Sequence, residues 1–169
     1  FLPVYGYELA TGLYLAGRWD EAVTEAERAL ALADEVGLAM LATWPRSLLA
    51  LISVHRGDVE TAAGHLSDVE RAAAANPDAV NLHAARLALA RSLVREARGD
   101  AADGLAVLRD AWEVHLQRSK GAALAQLAPD LVRRALADGD RTLAEEVAAV
   151  MDDAAAHGAV AGVVATAWW

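Results

Sequence analysis

The chain has 169 residues, of which 56% are apolar and only 5% aromatic, and it carries a formal net charge of −9. A surface of that sign repels a phosphate backbone, so direct nucleic-acid binding, which needs a clustered basic footprint, is not expected. The lack of cysteine excludes disulfides, thiolate metal sites and thiol nucleophiles, and it fits a reducing cytoplasm.

Residues 4–16 read as a first helix, with Pro3 at its start and Leu9, Ala10 and Leu13 on one face. Its partner covers residues 19–36, where Ala22, Ala26, Ala29 and Leu30 are spaced for a buried stripe, and Gly37 ends it. Residues 38–56 follow as a helix whose early Pro45 is expected to kink it or delay its start. Asp58 caps the next helix, to residue 75, and Asn76-Pro77-Asp78 breaks the chain. Residues 78–98 form a long helix with Leu82, Leu89, Leu93 and Val94 inward and Arg86, Arg91, Arg95 and Arg98 outward. Residues 100–119 pair with it through Leu105, Leu108, Ala111, Trp112 and Leu116. Over residues 121–137, Pro129 is expected to start a helix after a short or irregular piece; residues 140–157 form the next helix, closed by Gly158.

The turns between these helices repeat. Gly17, Gly57, Gly99 and Gly139 stand 40, 42 and 40 residues apart, and three of the four are followed by aspartate. Glycine supplies a left-handed residue that ends a helix, and Asp58, Asp100 and Asp140 then stand where a carboxylate can accept from free N–H groups of the next one. Asp103 completes a capping-box-like pair with Asp100. A period of about 40 residues of paired helices predicts an all-α, right-handed solenoid of four helical hairpins in one domain.

In the first unit Leu9-Ala10, Leu13, Gly17, Trp19, Ala22, Ala26 and Ala29-Leu30 resemble a tetratricopeptide repeat, with later units weaker and the period longer than the usual 34 of that family. A resemblance over nearly the whole chain rests on Trp19-Asp20-Glu21-Ala22, on residues 29–33, on His55-Arg56-Gly57-Asp58 and above all on residues 127–141, Leu-Ala-Pro-Asp-Leu-Val-Arg-Arg-Ala-Leu-Ala-Asp-Gly-Asp-Arg. These look like the helical region of large ATP-binding LuxR-type transcriptional regulators. The resemblance implies a signal-receiving or assembly role between an ATPase and a DNA-binding helix-turn-helix, neither of whose motifs occurs in this sequence. With no initiator Met at Phe1 and an apolar run ending at Trp168-Trp169, the chain reads as a fragment of a larger protein. Residues 159–169 read as the start of a further repeat, too short to span a bilayer, whose Val160, Val163, Val164, Trp168 and Trp169 would be exposed and open to self-association.

The sequence carries little that points to chemistry. No phosphate-binding glycine loop precedes the single lysine, Lys120, and no Gly-x-Ser-x-Gly elbow exists. The histidines, His55, His65, His83, His115 and His157, include no pair one helical turn apart, so no metal site is expected, and His157 reads as a residue facing a helix C-terminus. Glu145-Glu146 and Asp152-Asp153 read as a solvated face, and Arg133-Arg134 as a salt-bridge pair rather than an anion site. No catalysis and no cofactor are therefore expected. What remains is recognition: in tetratricopeptide register the first helix of each unit lines a groove with Tyr7, Thr11 and Tyr14, then Trp44, Ser47, Leu51 and His55, then Arg86, Leu89 and Glu96, and finally Arg133. Tyrosine, tryptophan and arginine are the types enriched at binding hot spots. Trp19 and Trp112, on second helices, read as core. The expected partners are a protein, a peptide, a small effector or the flanking domains; the alternative is a structural spacer or oligomerisation module.

Overall fold

A computed structural model describes residues 2–37, 39–75, 84–118 and 121–156. The described residues form eight helices: α1 Leu2–Leu15, α2 Trp19–Glu35, α3 Ala39–His55, α4 Val59–Ala75, α5 Ala84–Ala97, α6 Ala101–Gln117, α7 Gly121–Asp138 and α8 Arg141–Ala156. They pack as consecutive antiparallel pairs, as helical hairpins do. The expected exposed end at Val160, Val163, Val164, Trp168 and Trp169, and the expected roles of Asn76-Pro77-Asp78, Leu82, His157 and Gly158, lie outside the described residues.

The four recurring glycines build the same turn. Gly57 has φ 81°, a left-handed value that a Cβ would strain; its N–H donates to the Val54 carbonyl at 3.0 Å, and the next N–H, of Asp58, reaches back to Ser53 at 2.9 Å. That pair of bonds satisfies two carbonyls left free at the end of α3. The same pair recurs after Gly17, Gly99 and Gly139.

The N-terminal side of these turns is less uniform. The Asp58 carboxylate accepts from the Thr61 N–H at 3.1 Å, and Asp140 from that of Leu143 at 3.0 Å, as expected of N-caps. Asp100 makes no such side-chain bond, and the expected capping box with Asp103 does not form, because Asp103 is held instead by Arg95 at 3.0 Å.

The chain divides into two compact units, Phe1–Ala90 and Arg91–Trp169. In the first, α2 presents Ala22, Ala26, Ala29 and Ala33 as a fully buried stripe, so the backbones of α1 and α2 approach closely; a Cβ at Gly6 would stand 3.3 Å from that of Ala29. Tyr7 and Ala10 of α1 and Leu48, Leu49 and Ile52 of α3 close this core. The predicted inward Leu9 is 53% exposed, its place in the core being taken by Tyr7, three residues from Ala10 on the same face. In the second unit Leu108 and Trp112 of α6, Leu127 and Leu131 of α7, and Val147 and Met151 of α8 are buried.

Of the two prolines in α3 and α7, Pro129 departs from the expectation that it starts a helix, while Pro45 does not delay the start of α3. Pro45 lies inside a helix already running from Ala39, and Pro129 lies inside α7, which is continuous from Gly121 to Asp138. Proline removes one N–H bond to the preceding turn, but Leu124, Leu127 and Ala128 on one side of Pro129 and Leu131 and Ala135 on the other share one buried face. That shared burial outweighs the single lost bond and holds α7 together.

Candidate functional site

The residues expected to line a groove fall into three groups. On α1, Tyr7, Thr11 and Tyr14 are spaced three and four apart and so lie along one face. On α3, Trp44 and His55 stand opposite them: the Tyr7 and Trp44 rings are 5.8 Å apart at 54°, and those of Tyr14 and His55 are 6.4 Å apart and stacked. The faces of these two first helices thus meet.

Around Tyr14 the rings form a triad. Trp19, at the start of α2, stacks on Tyr14 at 6.0 Å and lies 5.7 Å from His55. Expected to be core, Trp19 is half-buried and packs against it, while His55 is exposed, so the triad covers the end of the first hairpin without closing it from solvent.

Around Tyr7 the chemistry is different. Arg86 of α5, expected on an outward face in the helix reading, is only 6% exposed. Its Nη1 donates to the Tyr7 hydroxyl and lies 3.4 Å from Thr11 Oγ1, and its Cζ sits 5.5 Å from the centre of the Tyr7 ring. Burial pulls its pKa down to about 10, which leaves the group fully charged near neutrality. Among the described residues no carboxylate pairs with it. Ser47 of α3 is buried, its hydroxyl donating to the Trp44 carbonyl at 2.7 Å.

The third group lies in the second unit and shows the ordinary way to bury a guanidinium. Glu96 of α5 accepts from both terminal nitrogens of Arg133, at 3.0 and 2.9 Å, and from Arg134 at 2.8 Å. Arg134, 7% exposed, also donates to the Ala101 carbonyl at 2.8 Å, and Arg133 to Asp130 at 2.9 Å. Adjacent residues on a helix ordinarily diverge, yet these two long side chains converge because Glu96 lies between their paths. The Arg133 guanidinium, with Arg134 adding to it, holds the Glu96 carboxyl below its ordinary range, and Glu96 in turn pushes the Arg133 pKa up. A carboxylate of the chain itself therefore occupies the position that an anionic ligand of Arg133-Arg134 would take.

Two features escaped the sequence reading. The helical spacing gave Arg86 no reason to be buried, since the acceptors that receive it come from α1, more than seventy residues away. The partnership of Arg134 with Glu96 was hidden by the same kind of separation. Among the described residues no group of three or more His, Cys, Asp or Glu could hold a metal ion, and no helix is long and apolar enough to cross a membrane. Comparison with protein-family models, with curated proteins and with solved structures found no match for this chain. The class that the geometry defines is an all-α assembly of helical hairpins, bearing on its first unit a buried cation framed by hydroxyls and aromatic rings.

Proposed function

We propose that this chain is a non-catalytic recognition module, and that the face where Tyr7, Thr11, Trp44 and Arg86 meet receives an anionic group of a peptide, a neighbouring domain or a small effector. The single observation that carries this reading is the contrast between two buried arginines. Arg134 has a carboxylate and a carbonyl, whereas Arg86 has two hydroxyls and an aromatic face. A hydroxyl is a weaker partner than a carboxylate, so Arg86 retains much of its capacity to bind negative charge. The rings beside it supply rigid apolar area of the kind found at binding hot spots.

The wider setting is part of the same proposal. The glycine period and the run of residues 127–141 support a right-handed, tetratricopeptide-like solenoid from the helical region of a cytoplasmic LuxR-type regulator. There, ligand binding would bias an ATPase and a DNA-binding domain. An array of short peptides, each in a free-carboxylate and an amidated form, tests the recognition claim. The full chain is expected to retain peptides with an accessible carboxylate and to lose them on Arg86→Met. A retained set unchanged by that substitution would remove Arg86 from the site.

One observation favours a structural or oligomerising role as a second reading. The outer face of α1 exposes Tyr5 at 74% and Leu9 at 53%, one helical turn apart. If this stripe joins two copies, light scattering will show a concentration-dependent mass that Leu9→Glu lowers to that of a monomer.

A further inference from the structure

The second unit has a cleft that plays no part in the reading above. It runs between α6 and α8 and has a volume of about 500 Å³. One wall is a stripe of α6, Arg109, Trp112, Glu113 and Leu116, at the three- and four-residue spacing of a single helix face. The other wall comes from α8, with Leu143, Glu146 and Val150 at the same kind of spacing. Each stripe covers two helical turns, about 11 Å at 1.5 Å per residue. That is shorter than a docked helix needs, while the volume falls within the roughly 300–1,000 Å³ of small-molecule sites.

The charges in the cleft do not balance. Arg109 is taken up by Asp140, whose Oδ2 accepts from it at 2.8 Å while Oδ1 caps α8. Glu113 and Glu146 are exposed, and among the described residues neither has an ion-pair partner. The cleft therefore combines apolar walls of Leu116, Leu143 and Val150, over a buried Trp112, with two uncompensated negative charges. A neutral apolar ligand would gain nothing from those carboxylates, an anion would be repelled, and a cation would be attracted.

From this we propose that the α6–α8 cleft binds a small organic cation, an amine carried on an apolar or aromatic body, with Glu113 and Glu146 receiving the ammonium. The site is independent of Arg86 and lies in the other unit. The body fills the space between the two helices, and the carboxylates select the sign of the charge. Selection comes from two exposed carboxylates, so it is a matter of specificity more than of high affinity.

The test is a titration of the isotope-labelled full chain with tryptamine, with neutral ethylindole and with anionic indoleacetate, read from the backbone amides of α6 and α8 and the indole N–H of Trp112. Tryptamine is expected to give saturable shifts confined to the cleft, indoleacetate none at the cleft, and ethylindole weaker ones there. Replacing both carboxylates, Glu113→Gln with Glu146→Gln, should weaken tryptamine about tenfold without altering the rest of the spectrum. Leu143→Trp, which fills the cleft and leaves its charge alone, should also block it, and Arg86→Met should leave the tryptamine shifts of the cleft as they are. Equal shifts of the cleft residues from tryptamine and indoleacetate, a tryptamine response that survives both cleft variants, or tryptamine shifts located outside the cleft would overturn the proposal.

Discussion

Burying a guanidinium strips its hydration, and what replaces that hydration decides whether the residue stabilises the fold or is held for another purpose. Arg86 and Arg134 are the two cases side by side. For Arg86, the hydroxyls of Tyr7 and Thr11 return only part of what water gave. Replacing it with methionine, of similar length and without charge, should leave stability within about 1 kcal/mol of the parent in urea unfolding. Tyr7→Phe should cost about 1–3 kcal/mol, because it removes an acceptor and leaves a buried charged donor short of one. In the Arg86→Met background the same change should cost less, and a double-mutant cycle measures the difference. Glu96 gives the opposite pattern. Its carboxyl is held below the ordinary value of 4.5, so it adds stability above that value, which is lost as pH falls through the lower folded value. Unfolding followed from neutral pH downward should show that loss, and Glu96→Gln should flatten it. At neutral pH that variant should be less stable by about 2 kcal/mol, since it leaves Arg134 buried beside a neutral amide.

The elements are set by their ends and by where small residues let them touch. Asp58 and Asp140 cap α4 and α8 through side-chain bonds, so alanine at either should cost about 1 kcal/mol, with Asp140 the dearer because it also holds Arg109. Asp100 makes no such bond, and Asp100→Ala should stay within about 0.5 kcal/mol. Glycines inside helices separate in the same way. A Cβ at Gly104 would meet the Ser92 carbonyl at 2.9 Å where α5 and α6 cross, so Gly104→Ala should cost about 1–3 kcal/mol. Gly64 has open space around it, and Gly64→Ala should gain about 0.5–1 kcal/mol in the same thermal or urea measurements. The glycine elbows and the helix positions were legible in the sequence because both depend on neighbours within a few residues. Continuity through Pro129 was not, because it depends on burial along the whole length of α7. Nor was the missing cap at Asp100, since Asp103 is drawn off by Arg95 of the preceding helix.

At the scale of the whole molecule, the all-α class and its hairpin pairing follow from alanine content, glycine period and the lack of any strand-like alternation. The site was legible in part. Tyr7, Tyr14, Trp44 and His55 could be placed together because they share a face on α1 or α3, whereas Ser47 turned into the core and Glu96 with Arg133 formed a network in the other unit. Long-range partners of charged side chains leave no periodic trace, and they are what distinguish the two buried arginines. With a net charge of −9, the chain repels anions on average, so an anion that binds must do so at a particular cation. The most direct measurement is of the Arg86 side-chain Nε–H resonance in arginine-labelled protein titrated with benzoate and, in parallel, with uncharged benzamide. A saturable shift of Arg86 with benzoate alone, larger than that of any other arginine, is the predicted result; an Arg86 resonance that stays in place while exposed arginines move would contradict it.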